Sequence, residues 1–148
     1  MADLLTDPAV SVCFSVRIDD YDLGLFSSCD GLGCEVTIEK REEGGNQFFV
    51  HQLPGHITFT NVKLIRPINA DTAKVARWIA SMATTVRRTG AEIVAMTHEG
   101  RAVAVWGLTG VIPVRWTGPQ LGVDSAKVAT ETLEIAHHGF VDPVGRGR

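Results

Sequence analysis

Apolar and polar residues alternate one by one in the clearest strand segments of this chain, whereas one long segment has the period of a helix. The first alternating run, Ser11 to Ile18, has an apolar residue at every second position. Period two is typical of a strand with one buried face. Cys34 to Arg41 is a similar run, and the apolar segments Ala91 to Thr97 and Ala102 to Leu108 also have the composition of strands. The pattern therefore constrains the chain to fold mainly as β-sheet.

The exception is the segment from Asp71 to Arg88, where apolar residues recur every three or four positions. This spacing predicts an amphipathic helix, with Asn69 or Asp71 as its cap and Gly90 as the stop. The stripe expected to face the core consists of Val75, Trp78, Ile79, Met82 and Val86.

The remaining segments carry strand and turn signals. Phe48 is expected to start a returning strand, and Pro54-Gly55 is a strong turn signal. The run from Ile57 to Leu64 changes phase, so either a bulge near Asn61 or a strand buried on both faces is expected. The segment 126–138 suits either a helix or a strand, because Ala129, Glu131, Leu133 and Ile135 can share one strand face.

Together these signals predict about seven or eight strands around one long helix. Such a pattern favours a small antiparallel β-barrel, sandwich-like and closed or nearly closed, with the α-helix on its flank. The 148 residues suit one domain. We expect an N-terminal arm over 1–10, the barrel over 11–140 and a flexible tail over 141–148.

Composition excludes several functional classes. The net charge of −3 gives no basic field for nucleic acid. No apolar run is long enough to span a bilayer, and the first residues lack the pattern of a secretory signal, so a cytoplasmic location is predicted.

The sequence carries no recognisable catalytic motif. Cys13, Cys29 and Cys34 are spaced as free thiols rather than as zinc ligands. A metal between His51 and His56 is a conceivable alternative, but no further ligand is placed to complete it. We therefore predict no enzyme, no metal and no cofactor.

Two strands are apolar on both faces: Ala102 to Trp106, and in part Ile93 to Met96. An isolated small barrel buries only one face of its wall, so these strands need a second cover. The residues alone leave open whether the helix or a neighbouring subunit supplies it.

The mixed charges before Gly44-Gly45 suggest a hairpin that extends beyond the core. Its charges either protect an exposed strand edge or dock on complementary charges of another copy. The aromatic pair Phe48-Phe49 favours docking, since one ring is expected to reach the core while the other faces outward.

The order of several short motifs resembles the tail tube proteins of contractile phages and the inner tube proteins of bacterial contractile injection systems. These motifs are Phe14 to Ile18, Asp30-Gly31-Leu32-Gly33, Arg41 to Gly45, Leu53-Pro54-Gly55-His56, Leu64-Ile65-Arg66-Pro67, Trp78, Val105-Trp106, Val111 to Pro119 and Glu131 to His137. The resemblance spans about Ser11 to Phe140, and it favours a strand for 126–138.

The resemblance implies hexameric rings that stack into a hollow tube, surrounded by a contractile sheath that drives the tube through a target envelope. The implied partners are other copies, the sheath, baseplate and tube-terminating proteins, and a cargo in the lumen. The long hairpin would then contact the next ring through its tip, which comprises Arg41, Glu42, Glu43, Gly44, Gly45 and Asn46. No catalytic residue is implied.

Three alternatives stay open on the sequence. A paralogue that initiates or caps the tube at the baseplate would look similar, and the ring protein of type VI secretion shares the barrel. A monomeric β-barrel binding module is the competing class. The parent particle, phage or bacterial, is not distinguished.

Overall fold

The computed structural model describes residues 12–42, 44–45, 48–120, 122–123 and 128–141, and ten strands and one helix lie within these ranges. In chain order the elements are β1 (Val12–Ile18), β2 (Tyr21–Phe26), β3 (Ser28–Asp30), β4 (Cys34–Arg41), β5 (His51–Phe59), β6 (Val62–Pro67), α1 (Thr72–Thr84), β7 (Thr89–Thr97), β8 (Ala102–Thr117), β9 (Thr130–Ala136) and β10 (Gly139–Val141). The expected mainly β class with one flanking helix is confirmed.

Most strands belong to one antiparallel sheet in the order β2-β1-β7-β8-β9-β6-β3, with β10 paired to β8. The two outer strands of this path, β2 and β3, are separated in the chain by Ser27 alone. The N–H of Ser27 donates to the carbonyl oxygen of Ile65 at 2.9 Å. The sheet therefore curls back on itself, and the chain through Ser27 joins its two edges. Among the described strands, no continuous ladder of hydrogen bonds closes it into a complete barrel.

The core lies inside the curled sheet, where alternate residues of each strand point inward. The fully buried apolar side chains come from β1, β2, β6, α1, β7, β8 and β9 and include Ile18, Leu23, Phe26, Leu64, Trp78, Ile93, Leu108, Leu133 and Ile135. The alternation that predicted strands in the sequence is thus the alternation of core and surface.

The helix is shorter than the sequence predicts. Val75 and Trp78 are buried in the core, and Ile79 and Met82 pack against it partly buried. Val86 lies beyond the helix and is 76% exposed, so its assignment to the stripe is wrong. The reason is backbone geometry: Thr85 is extended, with φ −146° and ψ 112°, as the chain turns toward β7.

The start of the helix is attached to β2. Asp71 occupies the cap position without a capping bond from its side chain, and Asn69 Oδ1 accepts the Asp71 N–H at 2.8 Å. The Asp71 carboxylate instead lies directly over Gly24, whose φ is +86°. A side chain at Gly24 would collide with that carboxylate, so glycine permits this close approach.

The expected turn at Pro54-Gly55 is wrong, and the returning strand begins at His51 rather than Phe48. Both turn residues lie inside β5, at an irregularity where Val36 pairs with Ile57 and Ile38 pairs with Pro54. Between these two pairs the chain advances three residues along β5 but only two along β4, which is the geometry of a β-bulge. A bulge accommodates proline and glycine inside a strand.

Two other ambiguities are resolved. The phase change near Asn61 is neither a bulge nor a doubly buried strand, because β5 and β6 are separate strands in separate sheets. The segment 126–138 contains strand β9 over Thr130–Ala136, while residues 126 and 127 lie outside the described ranges. Strand β8 runs without a break through Gly110, which has φ +65°.

One ion pair is buried in the core. Arg66 on β6 lies opposite Glu131 on β9, with Arg66 Nε 2.7 Å from Glu131 Oε1 and the two side chains 1% and 0% exposed. Arg66 Nη1 also donates to the carbonyl oxygen of Leu23, and its guanidinium carbon lies 4.2 Å from the ring centroid of Phe26. This pair ties β6 and β9 to β2 through the interior of the barrel.

Candidate interaction surfaces

Strands β4 and β5 form a hairpin that stands apart from the main sheet as a separate two-stranded sheet. All eight residues of β4 are exposed, and β5 is exposed except at its two ends. An isolated two-stranded hairpin is marginally stable in water without a covered face. Nothing in the described part of the subunit covers either face of this one.

One face of the hairpin is apolar. Val36 lies opposite Ile57, and Ile38 lies opposite Pro54. These four residues define the hairpin face, in which Val36, Ile38 and Ile57 are 39%, 45% and 56% exposed. The other face carries Glu35, Thr37, Glu39 and Arg41, with Leu53 opposite Glu39, because successive side chains of a strand alternate. Lys40, opposite Gln52, ends the apolar face toward the tip. The hairpin thus has the two-sided pattern of a strand pair with one buried face, although that face is open.

The tip of the hairpin is charged and exposed. Arg41 ends β4, and Glu42, Gly44 and Gly45 follow it at the surface, with Gly45 at φ +92°. Glu43 and Asn46 lie outside the described residues, and the docking role of the tip stays a prediction.

The aromatic pair after the tip departs from expectation. Phe48 is 94% exposed and Phe49 is 59% exposed, so neither ring reaches the core. Phe49 instead lies edge-on to His51, with ring centroids 4.9 Å apart. The prediction that one of the two rings reaches the core is therefore wrong, because both lie beside a hairpin that forms its own two-stranded sheet.

The base of the hairpin is held more firmly than its tip. The Thr60 hydroxyl donates to the carbonyl oxygens of Gly31 at 2.6 Å and Gly33 at 3.3 Å. Phe59 packs on His137 and Phe140, with ring centroids 5.4 Å and 5.8 Å away. These contacts set the direction in which the hairpin leaves the barrel.

A second apolar surface lies on the outside of the main sheet. It comprises Leu25, Val94, Met96, Val103 and Val105, and we call it the outer patch. Ser15 pairs with both Leu25 and Val94, and Val94 pairs with Val105, so the patch crosses four strands. Leu25 and Val103 are each 48% exposed. Helix α1 therefore leaves this patch uncovered. Of the two covers that the sequence left open, the helix is excluded for these residues.

The described residues offer little for chemistry. They contain no group of three or more His, Cys, Asp or Glu side chains placed to hold a metal ion. Burial, and to a lesser degree the charge of Asp30, raises the pKa of the Cys29 thiol to about 11, so it stays protonated near neutral pH. Cys34 at the hairpin base is the exposed free cysteine of the described part.

No helix in the described ranges has both the length and the apolar character needed to cross a membrane.

Comparisons with known proteins agree with the geometry. Residues 10–141 match the family described as T4-like virus tail tube protein gp19. A chain in the cryo-EM structure of the PVC sheath–tube complex, an extracellular contractile injection system in its extended state, is similar to this chain. It is 18% identical with a TM-score of 0.75, over 97% of this chain and 98% of that one.

Two further solved structures share the fold. A chain of the PVC sheath/tube terminator is 19% identical with a TM-score of 0.71, over 91% of this chain and 94% of that one. A chain of the tube-terminating cap of the anti-feeding prophage is 17% identical with a TM-score of 0.63, over 86% and 85% of the two chains. A search of curated proteins found no match.

Proposed function

Because this chain belongs to the T4-like virus tail tube protein gp19 family, we propose that it is the structural subunit of a hollow tube built from stacked hexameric rings. The tube would be part of a contractile tail or contractile injection particle, assembled in the cytoplasm, and a contracting sheath would push it through a target envelope. The subunit carries out no bond chemistry in this role.

The observation that carries the proposal is the open hairpin. Its apolar face is patterned for burial, yet the subunit leaves it in water. The outer patch is a second apolar surface in the same condition. Contiguous exposed apolar surfaces on a soluble chain mark interaction sites. Two different apolar surfaces of one subunit can each be covered by an identical neighbouring subunit. Contact between different surfaces of identical subunits is heterologous.

Heterologous contacts close into rings or continue as filaments, and a tube of stacked rings uses both outcomes. Obligate interfaces commonly bury on the order of 2,000 Å² or more and are more apolar than transient ones. The hairpin face and the outer patch would form the apolar centres of such interfaces. The charged tip, beyond the apolar face, suits the more polar contact between stacked rings.

Sheath, baseplate and cap proteins are the further partners we propose, since structurally similar chains occur in a sheath–tube complex, an anti-feeding prophage baseplate and a tube-terminating cap. The similarity to a cap chain favours one second candidate, a paralogue that begins or ends the tube. Such a paralogue would form rings that do not extend with concentration, whereas the main subunit would form long tubes.

We expect shortening of residues 41–46 to a two-residue turn to leave a folded subunit that no longer forms long tubes. The described tip residues Arg41, Glu42, Gly44 and Gly45 are exposed in the subunit, so folding should be preserved while the contact between rings is removed. Negative-stain electron microscopy of concentrated protein measures tube length. Tubes of normal length from this variant would contradict the docking role of the tip.

A point substitution tests the hairpin face separately. Ile38→Asp places a charge in that face and is expected to abolish rings and tubes, because burying an unpaired carboxylate is strongly unfavourable. Its thermal midpoint should stay near that of the wild type, since Ile38 is exposed in the subunit.

Thr37→Asp is the matched control, one residue away on the opposite face of the same strand. It should still form tubes under identical conditions. If wild-type protein remains a single subunit at high concentration by sedimentation, the tube function itself is wrong. If Ile38→Asp forms tubes as Thr37→Asp does, the hairpin face is not the contact.

A further inference from the structure

Three rings form a closed cluster at the base of the hairpin. The ring of His137 lies 5.4 Å from Phe59 and 5.2 Å from Phe140, and those two phenyl rings lie 5.8 Å apart. Phe59 is the last residue of β5. His137 lies between β9 and β10, and Phe140 lies in β10, which pairs with β8. The cluster therefore connects the hairpin to the barrel.

Gly139 makes this packing possible. Its φ is +142°, and a Cβ there would lie 3.2 Å from Phe59 Cζ. The backbone of Gly139 also fixes the imidazole, because its N–H donates to His137 Nδ1 at 3.2 Å. An Nδ1 that accepts a hydrogen bond carries no proton, so the neutral ring carries its proton on Nε2.

His137 is only 6% exposed, and its Nε2 has no hydrogen-bond partner among the described residues. Protonation would add a proton to Nδ1, which would then face the Gly139 N–H donor to donor. It would also place a charge on a side chain that is only 6% exposed, and no carboxylate pairs with it in the described structure. Both consequences disfavour the clustered position of a charged ring.

The surrounding charges do not offset this cost. The titratable and charged side chains on the elements around the cluster are His51 and His56 on β5, Lys63 and Arg66 on β6, Arg88 before β7, Arg115 on β8, Glu131 and Glu134 on β9 and His138 next in the chain. Glu131 is already paired with Arg66 at 2.7 Å. Glu134 Oε1 is already bonded to Asn61 Nδ2 at 3.2 Å. No hydrogen bond joins His137 to any of these side chains in the described part of the chain.

We propose that His137 is a proton-sensitive positioning residue: while neutral it clamps Phe59 and fixes the direction of the hairpin, and on protonation it releases the hairpin base. The clamp is a property of the subunit. Its consequence, tubes that form less readily in mildly acidic solution, rests on the proposed function.

The test uses a fluorescent probe on Cys34, which pairs with Phe59 at the hairpin base, in a full-length background with Cys13 and Cys29 changed to alanine. Time-resolved anisotropy reports the local motion of the probe. Between about pH 7.5 and about pH 5, where histidine changes charge, the mobile fraction should rise roughly fivefold or more. That is the population change expected from losing one buried hydrogen bond.

His137→Phe and His137→Gln should remove this pH dependence, because phenylalanine keeps the ring packing and glutamine keeps an acceptor for Gly139, while neither gains a proton. His138→Phe, the matched control at the exposed neighbouring position, should behave as the wild type. The proposal is overturned if the wild type shows no rise, or if both His137 variants keep it. The anisotropy is read whether or not tubes form, so its failure is distinct from failure of the tube function.

Discussion

Glu131→Ala is expected to lower the free energy of unfolding by about 3–5 kcal/mol, the usual cost of removing one partner of a buried ion pair. The substitution leaves the Arg66 guanidinium charged in the core, where its side chain is 1% exposed. Among the described residues, the backbone carbonyl of Leu23, a longer contact to the carbonyl of Leu25 and the ring of Phe26 would then remain around it. Since a domain of this size is stable by about 5–15 kcal/mol, the loss is a large fraction of the total.

Two comparisons make this prediction specific. Glu134→Ala, on the outward side of the same strand, should change the free energy of unfolding by no more than about 0.5 kcal/mol. The double variant Arg66→Met with Glu131→Leu should recover most of the loss, because a buried pair replaced by apolar residues of similar volume is often neutral.

Urea unfolding monitored by tryptophan fluorescence, at concentrations where the subunit is single, measures all three variants. Equal effects from Glu131→Ala and Glu134→Ala would contradict the buried pair as the cause.

This pair also shows where sequence reasoning stops. The alternation around Glu131 placed it on the same strand face as Leu133 and Ile135, and that face is indeed buried. Arg66 alternates in the same way with Val62 and Leu64. However, a single sequence contains no signal that β6 pairs with β9, so the charge on each strand had no visible partner.

The sequence predicted the structure correctly where the hydrophobic period of a segment determines it. The prediction was wrong where pairing with a distant strand determines it. The hairpin of β7 and β8 and the first three turns of α1 follow directly from their patterns. Pro54-Gly55 reads locally as a turn, but pairing with β4 on both sides of the bulge keeps it inside a strand. The sequence likewise showed that two strands needed a second cover, whereas only the structure shows that the helix leaves the outer patch exposed.

Trp78→Ala is the second large effect we expect, at about 3–5 kcal/mol of unfolding free energy. Trp78 is 1% exposed and is the largest fully buried side chain of the described core. Its removal leaves a cavity between α1 and the sheet that the short helix, attached at Gly24, closes only in part. Trp116→Ala is the matched control, because Trp116 is 39% exposed and should lose far less.

Trp78→Phe separates volume from polarity at the same position. The indole Nε1 has no hydrogen-bond partner in the described structure, so losing that N–H removes an unsatisfied donor and offsets part of the lost packing. We therefore expect Trp78→Phe to be destabilised by less than half as much as Trp78→Ala. A Trp78→Ala variant that unfolds within about 1 kcal/mol of the wild type would show that the helix does not depend on this side chain, and that the stripe through Val75 and Trp78 is not what holds it to the barrel.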